Sequence, residues 1–78
     1  SQREAVLTEV LLRAGLNTPM PRTTLLLKVW GPDNDIEDGN LDNYIHFLRR
    51  RFRQLESTLQ IKTLRGTGYC LTTADERN

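Results

Sequence analysis

Between Asn40 and Arg53 the chain reads NLDNYIHFLRRRFR, where amides, rings and guanidinium groups recur at helical spacing. Leu41, Ile45, Leu48 and Phe52 follow one another at intervals of four, three and four, which places them on one side of an α-helix. The other side presents Asn40, Asn43, Phe47 and Arg50, flanked by Tyr44 and Arg51, and the run ends in Arg49, Arg50, Arg51 and Arg53. Amides can bond to the edges of bases, and Asn43 can hold an adenine edge with both its amide atoms. Phe47 lies about 130° from the centre of the apolar stripe, so a ring there suits a thymine methyl better than a core. Guanidinium groups suit phosphates. The same pattern also describes a surface helix with a solvated basic side, or one serving a membrane surface or a protein partner. The helix alone leaves these open.

The elements around it must hold it in place. Ser1 and Glu4 are spaced as a capping box. Ala5, Leu7, Val10, Leu11 and Ala14 then supply the apolar face of a first helix that Gly15 ends. Asn17 and Pro19 make residues 16–20 a short extended piece. A second helix is expected over Pro21–Trp30, with Pro21 in its first turn and Leu25, Leu26, Val29 and Trp30 inward. Trp30 can pack its ring and still point its indole N–H at a phosphate. Residues 31–39 read as an acidic loop, and the basic helix follows from about Asn40 to Leu55. Leu59, Ile61 and Thr63 alternate with Gln60 and Lys62, Arg65-Gly66-Thr67-Gly68 turns the chain, and Tyr69 to Thr72 return as a β-hairpin. Both glycines of the turn are expected to serve positive φ, with Arg65 and Thr67 at the tip. Residues 74–78 read as a frayed tail. The order is that of an α+β winged helix-turn-helix: three helices with a C-terminal β-hairpin wing, over 1–78.

Composition narrows the function classes. A chain of 78 residues, 37% hydrophobic and 27% charged, fits one small globular domain. One cysteine, Cys70, excludes an internal disulfide and leaves too few ligands for a cysteine zinc site; this suits a cytoplasmic protein. The apolar runs are too short to span a membrane. Ser1 in place of an initiator Met leads us to expect a fragment of a longer protein. The net charge of +1 conceals a division: residues 31–42 carry a net −5 and residues 43–71 a net +5. Asp33-x-Asp35-x-Glu37 fails as a calcium loop, because the required glycine and glutamate positions hold Asp38 and Tyr44. Gly66-x-Gly68 lacks the third glycine and following helix of a dinucleotide site. His46, the single histidine, has no nucleophile or acid patterned beside it and reads as a groove-side or surface residue. No enzyme, metal or cofactor is expected.

Three motifs in order resemble the winged-helix effector domain of two-component response regulators of the OmpR/PhoB class. They are Val29-Trp30-Gly31, then Leu41-Asp42-x-x-Ile45-x-x-Leu48-Arg49-Arg50, then Ile61-x-Thr63-x-Arg65-Gly66-x-Gly68-Tyr69. The resemblance implies sequence-specific binding of double-stranded DNA, with the third helix (Asn40, Asn43, Tyr44, Phe47, Arg50) in the major groove. It implies backbone contacts from Trp30, Arg49, Arg51, Thr63 and Thr67, and a minor-groove contact from Arg65. The loop carrying Asp33, Asn34, Asp35 and Glu37 would meet RNA polymerase, and the full-length protein would dimerise on tandem half-sites. Two features depart from the family pattern. The sequence opens on the first helix, ahead of which the family carries a small sheet and a receiver domain, in line with the expected fragment. Gly39 and Phe47 stand where relatives often carry basic residues. A winged-helix module that binds proteins through Tyr44 and Phe47 is the alternative; the arginines on two adjacent elements oppose it.

Overall fold

The computed structural model describes residues 2–32 and 38–74. The element order is α1 (Gln2–Ala14), β1 (Met20–Pro21), α2 (Arg22–Trp30), α3 (Asp38–Gln54), β2 (Leu59–Leu64) and β3 (Gly68–Thr73). The capping residue expected at Ser1, the acidic loop at 33–37 and the tail from 75 onward lie outside the described residues.

Leu7 and Leu11, four apart, are the buried residues of α1, while Val6, Val10 and Ala14 pack half-buried against the same core. Ala5, expected on the inner face, is exposed. Gly15 takes φ +95° and closes the helix with its N–H directed to the carbonyls of Leu11 and Leu12. Asn17 also adopts positive φ, and its N–H donates to the Leu71 carbonyl at 2.7 Å, tying this turn to the sheet.

The short extended piece contributes a strand. Met20 pairs with Tyr69 and Pro21 with Gly68, giving an antiparallel sheet in the order β1-β3-β2. Pro21 is therefore not in the first turn of α2. It stands at the N-cap with extended dihedrals (φ −61°, ψ 148°), and the helix starts at Arg22. The missing proline N–H costs the sheet little because β1 is an edge strand. Leu25 and Val29 fill the inner face of α2, and the N–H of Gly31 returns to the Leu27 carbonyl at 2.8 Å.

The apolar stripe of α3 is buried along its whole length: Leu41 and Ile45 have no exposure, and Leu48 and Phe52 almost none. It packs on α1, α2 and the sheet, so one contiguous core fixes the axis of the helix. The helix begins two residues before Asn40 and ends one before Leu55, which is exposed. Its end is a Schellman motif, with Ser57 N–H on the Phe52 carbonyl, Glu56 N–H on the Arg53 carbonyl, and Glu56 at φ +55°.

In the hairpin, Ile61 faces Leu71 and Leu64 faces Gly68. Thr67 N–H closes the turn on the Leu64 carbonyl, and Gly66 supplies the positive φ of +75°. Gly68 serves a different purpose from the one expected. A Cβ there would lie 2.1 Å from the Met20 carbonyl oxygen and 2.8 Å from the Arg22 nitrogen, so only glycine lets β1 approach this closely.

Candidate nucleic-acid interface

With its apolar stripe buried, α3 turns Asn40, Asn43, His46, Phe47 and Arg50 to solvent, together with Arg51 and Arg53. The large ring of Phe47 is 43% exposed and is fixed from behind. Tyr44 stands edge-on to it at 6.2 Å, and Trp30 stands edge-on to Tyr44 at 5.4 Å. His46 makes a third edge contact with Phe47 at 5.7 Å. Such T-shaped pairs are favourable beyond the area they bury. Tyr44, expected on the groove side, is half-buried and acts mainly as the buttress between Trp30 and Phe47. Trp30 is itself held by Arg3, whose guanidinium lies 5.8 Å from the indole ring while Nη1 donates to the Val29 carbonyl.

The arginines separate into distinct environments. Arg49 donates from Nε and Nη2 to the Ile61 carbonyl at 3.0 and 2.6 Å, and from Nη2 to Thr63 Oγ1 at 2.9 Å. It also lies 5.8 Å from the Tyr69 ring. The phosphate contact expected of Arg49 thus competes with bonds joining α3 to β2. Arg51 leans toward Glu4 on α1, 3.6 Å away. Arg50 and Arg53 on the helix, and Arg65 at the wing tip, are exposed, as is Thr67 beside it.

Between α3 and the wing lies a cleft of about 300 Å³ lined by Arg22, Asp42, Thr63, Arg65, Thr67 and Tyr69, among others. Asp42 Oδ1 accepts from Arg22 Nη1 at 2.8 Å and from the Tyr69 hydroxyl, and Oδ2 lies 3.4 Å from Arg22 Nη2. The hydrogen bond from Arg22, and then that from Tyr69, holds the Asp42 carboxyl below its usual range, while the Arg22 guanidinium is raised by the same bond. Burial, then the bond to Asp42, pushes the Tyr69 phenol up. By sequence Asp42 belongs to the acidic stretch, yet its charge is matched by Arg22. Asp42 and Tyr69 stand in the sequence motifs without a site role and Arg22 stands outside them, because the three meet only through contacts 20 and 27 residues apart in the chain.

Among the described residues no group of His, Cys, Asp and Glu could hold a metal ion, and no helix is long and apolar enough to cross a membrane.

The family described as "Transcriptional regulatory protein, C terminal" matches residues 1–71. The transcriptional regulatory protein DltR of Streptococcus agalactiae is 38% identical over 71 residues, covering 91% of this chain and 31% of that protein. YxdJ of Bacillus subtilis is 39% identical over the same length and with the same coverage. The chain therefore spans about a third of the length of these curated relatives. Among solved structures, the DNA-binding domain of Bacillus subtilis CssR superposes with a TM-score of 0.78 at 29% identity, covering 92% of this chain and 76% of that one. The DNA-binding domain of response regulator AdeR, solved with an intercistronic region, shares the fold at a TM-score of 0.78 and 16% identity, with 94% and 74% covered. The chain belongs to the family of C-terminal domains of transcriptional regulatory proteins, as a winged-helix effector domain of the OmpR/PhoB response-regulator class.

Proposed function

We propose that this chain binds double-stranded DNA sequence-specifically, as the transcription-controlling output domain of a bacterial two-component response regulator in the cytoplasm. The observation that carries this reading is one arrangement: a solvent-facing row of Asn40, Asn43, Phe47 and Arg50 on α3, joined through Asp42 to an arginine-tipped hairpin. In this reading α3 lies in the major groove, where Asn43 and Phe47, one turn apart, favour A·T pairs at neighbouring positions. Arg50, Arg51, Arg53, the Trp30 indole N–H, Thr63 and Thr67 meet phosphates, which position the domain without selecting sequence. Arg65 enters the minor groove, where narrow A·T-rich tracts concentrate negative potential. The whole protein pairs on tandem half-sites, and the acidic stretch around Asp33, Asn34, Asp35 and Glu37 turns from DNA toward RNA polymerase. The family is one of transcriptional regulators, not an enzyme class.

The test is a binding matrix of Asn43→Ala, Phe47→Ala and Arg50→Ala against single-base variants of a selected operator. The first two variants should each lose about 1–3 kcal/mol of discrimination at a single base pair. Arg50→Ala should weaken all sequences alike and reduce the salt slope by about one. Uniform losses for Asn43→Ala and Phe47→Ala would place the reading face elsewhere.

A further inference from the structure

One carboxylate oxygen joins three elements. Asp42 Oδ1, on α3, receives Arg22 Nη1 from the start of α2 and the Tyr69 hydroxyl from β3. The Arg22 backbone N–H donates to the Thr67 carbonyl at 2.9 Å, so the same residue also grips the last position of the wing turn. Gly68, packed against the backbone of Met20, Pro21 and Arg22, removes the slack between β1 and the wing base. Beyond this attachment only Arg65 and Gly66 overhang, in a turn closed by the bond from Thr67 N–H to the Leu64 carbonyl. A hairpin held only by its ladder would rock about its base, and ordering it on contact with a ligand would oppose binding.

We propose that Asp42, through Tyr69 and Arg22, sets the angle between wing and recognition helix, and so sets where Arg65 meets DNA. Tyr69 is a positioning residue whose hydroxyl never touches the nucleic acid. The proposal rests on the DNA-binding reading above and adds a device to it. The Tyr69 ring is buried and lies under the Arg49 guanidinium, so Tyr69→Phe keeps the packing and removes only what the hydroxyl bonds, Asp42 and Arg22.

The experiment is a pair of double-mutant cycles, read as operator affinity on duplexes with A·T-rich and G·C-rich flanks. Tyr69→Phe alone should lower affinity about tenfold and erase the preference between flanks, the factor expected for one lost charge-assisted hydrogen bond. In an Arg65→Ala background the same substitution should cost less than about twofold, and in an Arg50→Ala background its full effect should persist. Equal losses in both backgrounds would overturn the proposal. Amide exchange in the free protein gives a readout independent of DNA: Tyr69→Phe should speed exchange at the Arg22 amide by roughly tenfold. Unchanged exchange there would overturn the clamp. If Arg65→Ala leaves affinity unaltered, the minor-groove reading of the wing fails, and exchange at Arg22 still decides whether the clamp exists.

Discussion

Arg49 lies across β2 with its Nη2 2.6 Å from the Ile61 carbonyl, so an arginine in the middle of a basic run serves the edge of the sheet. β2 is an edge strand in the order β1-β3-β2, and an outward carbonyl on an edge needs a donor. The same guanidinium reaches Thr63, so the tie spans two residues of the β2 edge.

Arg49→Ala should therefore act first on stability. The expected loss is about 1–3 kcal/mol in urea unfolding, from the bonds to Ile61 and Thr63. Arg50→Ala, on the exposed face, should change stability by less than about 0.5 kcal/mol. Equal effects of the two substitutions on unfolding would refute this division.

The two turn glycines should separate in the same assay. At Gly68 an added Cβ meets backbone atoms at 2.1 and 2.8 Å, neither of which can rotate away. Gly68→Ala is expected to cost about 3 kcal/mol or more, and to detach β1. At Gly66 the space is open and only the positive φ resists a side chain, so Gly66→Ala should cost about 1–2 kcal/mol.

The Asp42 cluster predicts opposite responses at the two ends of the pH range. Asp42 is held below its ordinary 3.8 by the bonds from Arg22 and Tyr69. Its contribution to stability is thus present above that value and is lost as pH falls through the folded pKa. Tyr69 is raised above 10.0, so its contribution is full below that value and is lost as pH rises further. Asp42→Asn should flatten the acid limb of a stability–pH profile and Tyr69→Phe the alkaline limb. The acid effect will be modest because the Asp42 side chain is about half exposed. An acid limb unchanged by Asp42→Asn would remove Asp42 from the account.

Glu4 is an acid held against the basic end of α3 through Arg51. Glu4→Gln should remove the carboxylate that competes with the phosphates for Arg51. The expected result is tighter binding to every duplex and a salt slope steeper by up to about one, with base preferences unaltered. A change confined to particular sequences would show that Glu4 acts on the reading face.

Much of this was legible in the sequence because helical and strand periodicity are local. Leu41, Ile45, Leu48 and Phe52 mark their own inner face, whatever they pack against, and that assigns Asn43, Phe47 and Arg50 to the outer face. The alternation around Ile61 and the Arg65-Gly66-Thr67-Gly68 turn likewise announce a hairpin with a basic tip. Pairing between distant segments carries no such signature. Arg49, Arg50 and Arg51 look interchangeable in a row, and only packing sends the first to Ile61, the second to solvent and the third toward Glu4. Asp42 reads as one more acid until Arg22 and Tyr69 are folded onto it, and Gly68 reads as a flexible turn residue until β1 presses against it. Side-chain period thus determined the faces of the elements, which depend on residues three or four apart. The tertiary structure decided which charge is matched and which glycine is steric, because those depend on atoms brought together from 12 or more residues away.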